Sequence, residues 1–337
     1  MRSFYLLALL VFAAPLYAQT TQPLTRIAFG SCCRQDRPQP IWDAIVAAQP
    51  QVWVFLGDNI YGDTEDMAVM RGKYEQLAAQ PAYAKLRESA TILATWDDHD
   101  LGRNDAGVEF PMKEQSKQEL LRFLSEPADS ARRARDGVYD AYTFGPAGKV
   151  VQVILLDTRW FRSPMKSRRD EQKRLYYDAD DDPAKTVLGE AQWKWLEEQL
   201  KRPAEVRIVA SSIQVLSDEH RFEKWNNFPR ERKRLLDLID KAAGPAPVVL
   251  LSGDRHTAEI SRLDPGNGKL PVYDVTASSL NQGGTTPADE PNRYRVGERY
   301  SPPNFGVIEI DWSGKSPKLK LELRDVAGKT VREAAIS

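Results

Sequence analysis

Six apolar runs rich in β-branched residues recur along the first three-quarters of the chain. They are continuous rather than alternating, which is typical of strands buried on both faces. They are RIAFGSC near the start, then 52–58, 90–98, 150–159, 206–212 and 247–254. Helical patterns separate them, at 41–48, 65–88, 113–124, 190–200 and 230–243. This alternation predicts an α/β fold in which helices cover a sheet.

The pattern changes after about residue 255. The runs PVYDVTASS, NFGVIEIDW and KLKLELRD are shorter and alternate more, which favours antiparallel additions to the sheet. The charged, weakly periodic segment 160–186 is predicted to run over the surface, and its proximity to a functional site stays open.

The first residues, MRSFYLLALLVFAAPLYAQ, have the pattern of a secretory signal peptide cleaved after Ala18. We therefore expect 1–18 to be removed and 19–337 to form a single periplasmic or secreted domain. No cysteine closely follows the apolar run and only one arginine precedes it, so neither a lipid anchor nor the twin-arginine route is expected.

Composition narrows the class of protein. The 337 residues carry a formal net charge of −1, which argues against a nucleic-acid or membrane-surface partner because both require a basic field. The only two cysteines, Cys32 and Cys33, are adjacent and cannot form an unstrained disulfide. Burial as small apolar residues or participation in a metal site are both open for them.

Polar residues suited to chemistry follow nearly every predicted strand. In open α/β sheets, ligands bind outside the carboxyl ends of the strands, so these residues are expected to share one edge. They are Ser31-Cys32, Gly57-Asp58-Asn59, Asp97-Asp98-His99-Asp100, Asp157-Thr158-Arg159, Ser211 to Gln214, and Ser252 to His256.

The carboxylates among them indicate metal ions. Asp58, Asp98 and Asp254 could not stay ionised together in a desolvated pocket, because like charges raise each other's pKa. Cations remove that conflict, and Asp58 is expected to bridge two of them.

The ligand types predict two different ions. Cys32 and His256 are softer donors, and Tyr61 could bind ferric iron as a phenolate. Asp98 and Asp254 are hard oxygen donors suited to Ca²⁺, Mg²⁺ or Mn²⁺. Structural alternatives remain for single residues: Tyr61 as a packed aromatic, or a histidine with a purely structural role.

Three further residues are candidates for substrate binding: Asn104, Arg159 and Arg255. Guanidinium groups match phosphate oxygens bidentately, but Arg159 and Arg255 could equally pair with the nearby Asp157 and Asp254. The third histidine of the chain, His220, is left as structural or close to substrate.

Together these motifs resemble the PhoD-like (alkaline phosphatase D) metallophosphatases, over nearly the whole mature chain. The decisive stretches are Gly30-Ser31-Cys32, Gly57 to Tyr61, Trp96 to Asp100, Leu156 to Arg159, Ser212 to Gln214 and Ser252 to His256. The resemblance implies the four-layer α/β/β/α sandwich of calcineurin-like metallophosphoesterases.

It also implies roles for individual residues. Cys32 and Tyr61 would bind iron, Asp58 would bridge, and His256 would be a retained histidine ligand. Asp98 and Asp254 would hold the second ion, His99 would be the catalytic acid, and Asp100 would orient it. The implied ions are Fe³⁺ and Ca²⁺. Ser212 and Gln214 stand where relatives use a histidine, and the extra N-terminal β-domain of larger members is missing.

The predicted function is therefore metal-dependent phosphoester hydrolysis, with attack by a metal-bound hydroxide on a small phosphate ester. A phosphodiesterase or phospholipase-type activity is the alternative within the enzyme class. A metal-dependent binding protein without catalysis is the alternative outside it. Oligomeric state cannot be read from the sequence.

Overall fold

A computed structural model describes residues 22–243, 246–264, 266, 269–283 and 289–337. The predicted signal peptide, 1–18, lies outside these residues. Within them, none of the helices is both long enough and apolar enough to cross a bilayer.

The described chain alternates strands and helices in its first three-quarters and ends in strands. In order the elements are β1 Arg26–Gly30, α1 Ile41–Ala47, β2 Val52–Leu56, α2 Met67–Ala78, α3 Pro81–Ser89, β3 Thr91–Thr95, α4 Asp98–Leu101, α5 Lys113–Phe123, α6 Ala131–Ala134, β4 Asp140–Phe144, β5 Val151–Leu155, β6 Ser167–Arg169, β7 Leu175–Tyr177, α7 Gly189–Leu200, β8 Val206–Ala210, a 3₁₀ turn Trp225–Asn227, α8 Pro229–Ala243, β9 Val248–Ser252, β10 Ala258–Leu263, β11 Val272–Ala277, β12 Arg295–Tyr300, β13 Asn304–Asp311, β14 Lys318–Asp325 and β15 Thr330–Ile336.

Two large mixed sheets form the centre of the fold. The first has the strand order β15-β14-β13-β1-β2-β3, and the second has the order β12-β10-β11-β9-β8-β5-β4. The strands β1, β2 and β3 run parallel, as do β5, β8, β9 and β11.

The side chains between the sheets form one apolar core, which includes Phe29, Val54, Ile208, Leu251 and Leu321. Helices α1, α2, α3 and α5 cover the outer face of the first sheet, and α7 and α8 cover that of the second. The arrangement is the predicted four-layer α/β/β/α sandwich. Strands β2, β5, β8 and β9 are buried along their whole length, as their continuous apolar runs predict.

Two sequence expectations differ from the structure. The helical pattern 65–88 is two helices: Asp66 caps α2, accepting the Ala68 N–H at 2.8 Å, and Pro81 begins α3, where its missing N–H costs nothing. The PVYDVTASS run, expected to be antiparallel, is β11, which pairs parallel with β9 and antiparallel only with β10. The surface segment 160–186 contains the small hairpin β6–β7.

Close sheet packing gives a test of the core. An added Cβ at Gly306 in β13 would lie 2.1 Å from the ring of Phe29, which is fully buried and cannot move away. We expect Gly306→Ala to lower the free energy of unfolding by about 1–3 kcal/mol, the usual cost of overpacking.

Gly72 supplies the matched control, because an added Cβ there meets no atom within 4 Å on the exposed side of α2. Gly72→Ala should leave stability unchanged or raise it by about 0.5–1 kcal/mol through helix propensity. Urea denaturation of both variants measures the difference. Equal stabilities would contradict this description of the core.

Candidate metal centre

The ends of six buried strands meet at one edge of the sandwich. The residues that follow β1, β2, β3 and β9 lie in overlapping groups of possible ligands that share Asp58: Cys32, Asp58, Asp98 and Asp254. The other two ends join it through hydrogen bonds: Ser212 after β8 donates to Asp97, and Thr158 after β5 bonds Ser212. The convergence predicted from the strand ends is therefore present.

One part of the cluster combines soft and hard donors. Cys32, Asp58 and His256 each offer a ligand atom within 4.8 Å of the others. The Tyr61 hydroxyl lies 2.9 Å from His256 Nε2, and the Cys32 thiol lies 3.4 Å from Asp58 Oδ2. These are the four residues that the sequence assigns to an iron-like ion.

The other part is purely acidic. Asp58, Asp97, Asp98 and Asp254 also have ligand atoms within 4.8 Å of one another. Asp58 belongs to both groups, as a bridging residue must. Asp97, which the sequence left without a role, is a new member, and its position directly before Asp98 at the end of β3 was the available signal.

Cations fit this cluster because it holds buried carboxylate oxygens that make no hydrogen bond. Asp58 Oδ1, Asp97 Oδ2 and Asp98 Oδ1 are buried and make no hydrogen bond. Leaving such atoms unpaired is costly unless a cation binds them. The donor set of thiol, phenol, imidazole and carboxylates suits one soft-to-intermediate ion and one hard ion.

The pKa values show that burial and mutual repulsion oppose the ionisation of these carboxylates. Burial raises the pKa of Asp58 and Asp254 well above the ordinary range, and neighbouring acidic groups add to the effect. Burial also raises the pKa of Asp97 to about 7, although Arg159 opposes it. For Asp98 burial acts the same way, but the cations of His99 and Arg159 outweigh it and lower the pKa. Burial raises the pKa of Cys32 to about 11.

Strained backbone concentrates at the cluster. Among the described residues, nine other than glycine have positive φ, and six of these lie here: Cys32, Asp58, Asp63, Asp105, Asp254 and His256. Such conformations cost about 1–3 kcal/mol each and persist at functional sites. Gly57 is required beside Asp58, since its φ is +96° and an added Cβ would lie 2.5 Å from Asp97 Cβ.

The predicted orientation of His99 by Asp100 is wrong. His99 Nδ1 instead lies 2.7 Å from Asp63 Oδ1. Burial lowers the pKa of His99, but Asp98 and Asp63 outweigh this and raise it to about 9. Sequence reasoning missed Asp63, although it follows the GDNIY motif by only two residues.

The Asp100 carboxylate instead binds backbone N–H groups. Its carboxylate accepts the N–H groups of Asn59 and Asp97 at 3.1 and 3.0 Å and the Tyr74 hydroxyl at 2.9 Å. It therefore ties the loop after β2, which carries Asp58, to the loop after β3.

Arg159 does not face substrate. It is fully buried, and its Nε and Nη1 donate to Asp97 and Glu223 at 2.5 and 2.6 Å. Asp157, its predicted partner, accepts only its backbone N–H, at 2.9 Å. Its Nη2 makes no hydrogen bond and lies 3.8 Å from Asp98 Oδ1, and Arg159 is not among the residues that line the open cavity. The guanidinium therefore holds the acidic cluster, and the substrate-binding prediction for Arg159 is corrected.

An open cavity of about 250 Å³ lies against the cluster. His99, Asp254 and His256 line it together with the two other predicted substrate residues, Asn104 and Arg255. Arg255 pairs with Glu290 at 2.6 Å and not with Asp254. Asn104 donates to Asp105 Oδ2 at 2.7 Å.

The other residues whose roles the sequence left open lie outside the groups of possible metal ligands. Gln214 is buried against Glu259 and Thr276. His220 is buried, and neither of its ring nitrogens has a partner in the described structure. Cys33 contacts Gln39 Oε1 at 3.3 Å in the helix-facing core, so it is a packed apolar residue and not a ligand.

A family model of the PhoD-like phosphatases matches residues 27–315, most of the chain. The chain belongs to the PhoD-like phosphatase family. It is accordingly a metal-dependent phosphoester hydrolase.

Solved structures agree on the fold of this PhoD-like phosphatase. A structure of PhoD is 18% identical with a TM-score of 0.72, and the match covers 95% of this chain and 70% of the other. A purple acid phosphatase, PPD1 from yellow lupin (Lupinus luteus), is 10% identical with a TM-score of 0.66, covering 95% of this chain and 55% of the lupin chain. GAP50, the anchor in the inner membrane complex of Plasmodium, is 15% identical with a TM-score of 0.62, covering 94% and 89%.

The crowded carboxylates predict how the metal-free PhoD-like phosphatase responds to pH. An acid whose pKa is raised by folding retains its proton in the folded state, so stability falls as pH rises through that pKa. Asp97, whose pKa is raised to about 7, acts in this direction. His99 does so too, because raising the pH to its pKa of about 9 removes a positive charge that stabilises the folded state. His256, with its pKa lowered to about 4, acts in the opposite direction only at lower pH.

We therefore expect the chelated protein to lose stability between about pH 6 and pH 9, by roughly 1.4 kcal/mol per pH unit for each retained proton. Urea denaturation at several pH values measures this. Reloading with metal is the control and should flatten the dependence, because cations stabilise the ionised carboxylates. Stability that rises with pH in the chelated protein would contradict the proposed crowding.

Proposed function

We propose that this PhoD-like phosphatase acts outside the cytoplasm as a phosphatase with a mixed iron and calcium centre. The observation that carries the proposal is the sharing of Asp58 between two ligand groups of different softness, next to an open cavity that contains His99. Export is supported by the signal-peptide pattern that ends at Ala18.

Each group of ligands suits one ion. Cys32, Tyr61 and His256 would hold the iron together with Asp58, and Asp97, Asp98 and Asp254 would hold the harder cation. Two such ions supply activation of water at neutral pH and neutralisation of charge on the phosphoryl oxygens.

His99 is the proposed general acid. Its Nδ1 is engaged by Asp63, which fixes the ring and leaves Nε2 to deliver a proton. The ring also packs against Tyr61, with centroids 4.2 Å apart. Although burial lowers the pKa of His99, the hydrogen bond and the charge of Asp63 raise it, which favours the protonated imidazole that donation to a leaving alkoxide requires.

Substrate binding is assigned to the cavity wall. Arg255 and Asn104 face the space beside Asp254 and His99 and would donate to phosphoryl oxygens. Asp63 and Asp100 are positioning residues: the first acts through His99, and the second holds the loops that carry Asp58 and Asp97.

His99→Ala should keep the metals but lose turnover of esters with poor leaving groups. General acid catalysis contributes about 10²–10⁴-fold, and a leaving group that needs no proton escapes the penalty. We expect kcat to fall far more for an alkyl phosphate than for p-nitrophenyl phosphate. Equal losses, or no loss, would remove His99 from the acid role.

The variants Asp63→Asn and Asp100→Asn distinguish the roles of the two carboxylates. Asp63→Asn should reproduce a weaker form of the His99 defect, selective for poor leaving groups, at unchanged metal content. Asp100→Asn should lower stability and affect all substrates alike. Selectivity in the Asp100 variant and none in the Asp63 variant would restore the arrangement expected from the sequence.

Elemental analysis of the exported protein, followed by assays of p-nitrophenyl phosphate and its bis ester, tests the activity itself. Iron and calcium with monoester turnover support the proposal. Preference for the bis ester would assign the diesterase alternative. Bound metal without turnover of either ester would assign the non-catalytic binding alternative.

A further inference from the structure

The wall of the cavity beyond the metal cluster comes from two segments that the mechanism does not use. The hairpin β6–β7 contributes Leu175 and Tyr177, and the turn before the 3₁₀ helix contributes Arg221 and Phe222. With the phosphoryl group on the side of the proposed metal ligands, the leaving group of a bound ester would extend toward this wall.

Arg221 is fixed in that wall by neutral groups. Its Nη1 donates to the Leu175 carbonyl at 2.6 Å, and its guanidinium carbon lies 4.1 Å from the centre of the Phe222 ring. Among the described residues no carboxylate lies within salt-bridge distance of it. Arg255, which also contacts the Phe222 ring, at 4.2 Å, differs because Glu290 pairs with it.

The three acidic residues that line the same cavity are engaged elsewhere, and Asp254 among them belongs to the acidic cluster. Glu223 pairs with the buried Arg159 and Arg162, at 2.6 and 3.0 Å. Asp105 accepts the Tyr177 hydroxyl at 2.6 Å. The fold therefore directs its own carboxylates away from Arg221 and leaves a positioned cation on the cavity wall.

We propose that Arg221 recognises a second anionic group, carried by the leaving group of the substrate. The substrate class is then a compact phosphate ester whose alcohol or phenol also bears a carboxylate or a second phosphate. A guanidinium held in advance by stacking and by a backbone carbonyl binds such oxygens with little loss of side-chain freedom. The inference rests on the proposed phosphatase function.

A matched pair of substrates tests it. The probes 4-carboxyphenyl phosphate and 4-carbamoylphenyl phosphate have nearly the same shape and differ in charge. We expect Arg221→Gln to lower the ratio of their kcat/KM values, charged over neutral, by about tenfold, the size of one charge-assisted hydrogen bond. The change in the ratio cancels the intrinsic difference in leaving-group reactivity.

Arg168→Gln is the control. Arg168 lies on the same hairpin, also stacks on an aromatic ring and pairs with Asp178 at 2.9 Å, but it does not line the cavity. Its variant should keep the wild-type ratio. An unchanged ratio in Arg221→Gln, or an equal fall in both variants, would overturn the proposal.

A measurement on the wild-type enzyme keeps the test valid if the variant folds poorly. Raising ionic strength from about 20 to about 300 mM screens the phosphate of both esters, so it should lower kcat/KM for both, and severalfold more for the carboxylate than for the carbamoyl ester. Turnover of both esters with no salt-dependent difference overturns the inference and leaves the phosphatase function standing. No turnover of any ester overturns the proposed function itself.

Discussion

The structure depends on the crowding of four carboxylates, three buried and one half-buried, whose ligand atoms lie within 4.8 Å of one another: Asp58, Asp97, Asp98 and Asp254. Such a group is unstable on its own, because burial and like charge both oppose ionisation. The loops at the ends of the strands hold the group in strained backbone conformations, and three of its carboxylate oxygens make no hydrogen bond. Bound cations would neutralise the repulsion between these carboxylates. Metal binding is therefore expected to stabilise the fold.

The residues that contact the proposed metal ligands hold these crowded carboxylates in position. Asp97 stays in place because the buried Arg159 and Ser212 hold one of its oxygens, leaving the other for a cation. Arg159 is balanced in turn by Glu223. Asp100 ties the loops after β2 and β3 through their backbone N–H groups. The acidic cluster is thus surrounded by partners that act on geometry and not on substrate.

The strand ends could be predicted from sequence because a parallel sheet brings its carboxyl ends to one edge whatever the loops do. The roles of Asp63, Asp97 and Arg159 could not, since they depend on which atoms the strained turns point toward each other. The family resemblance implied that Asp100 orients its neighbour His99, yet α4 turns the two side chains apart, toward Asp63 and toward backbone. The split of 65–88 at Pro81 was visible in the sequence, whereas the parallel pairing of β11 with β9 is set by the sheet as a whole.

Anomalous diffraction from crystals of the metal-loaded enzyme tests directly whether two different ions share Asp58. We expect two cation peaks, both within about 2.0–2.6 Å of the Asp58 carboxylate, with the iron-edge signal on the peak beside Cys32 and His256. A single peak, or peaks that do not share Asp58, would contradict the two-ion centre.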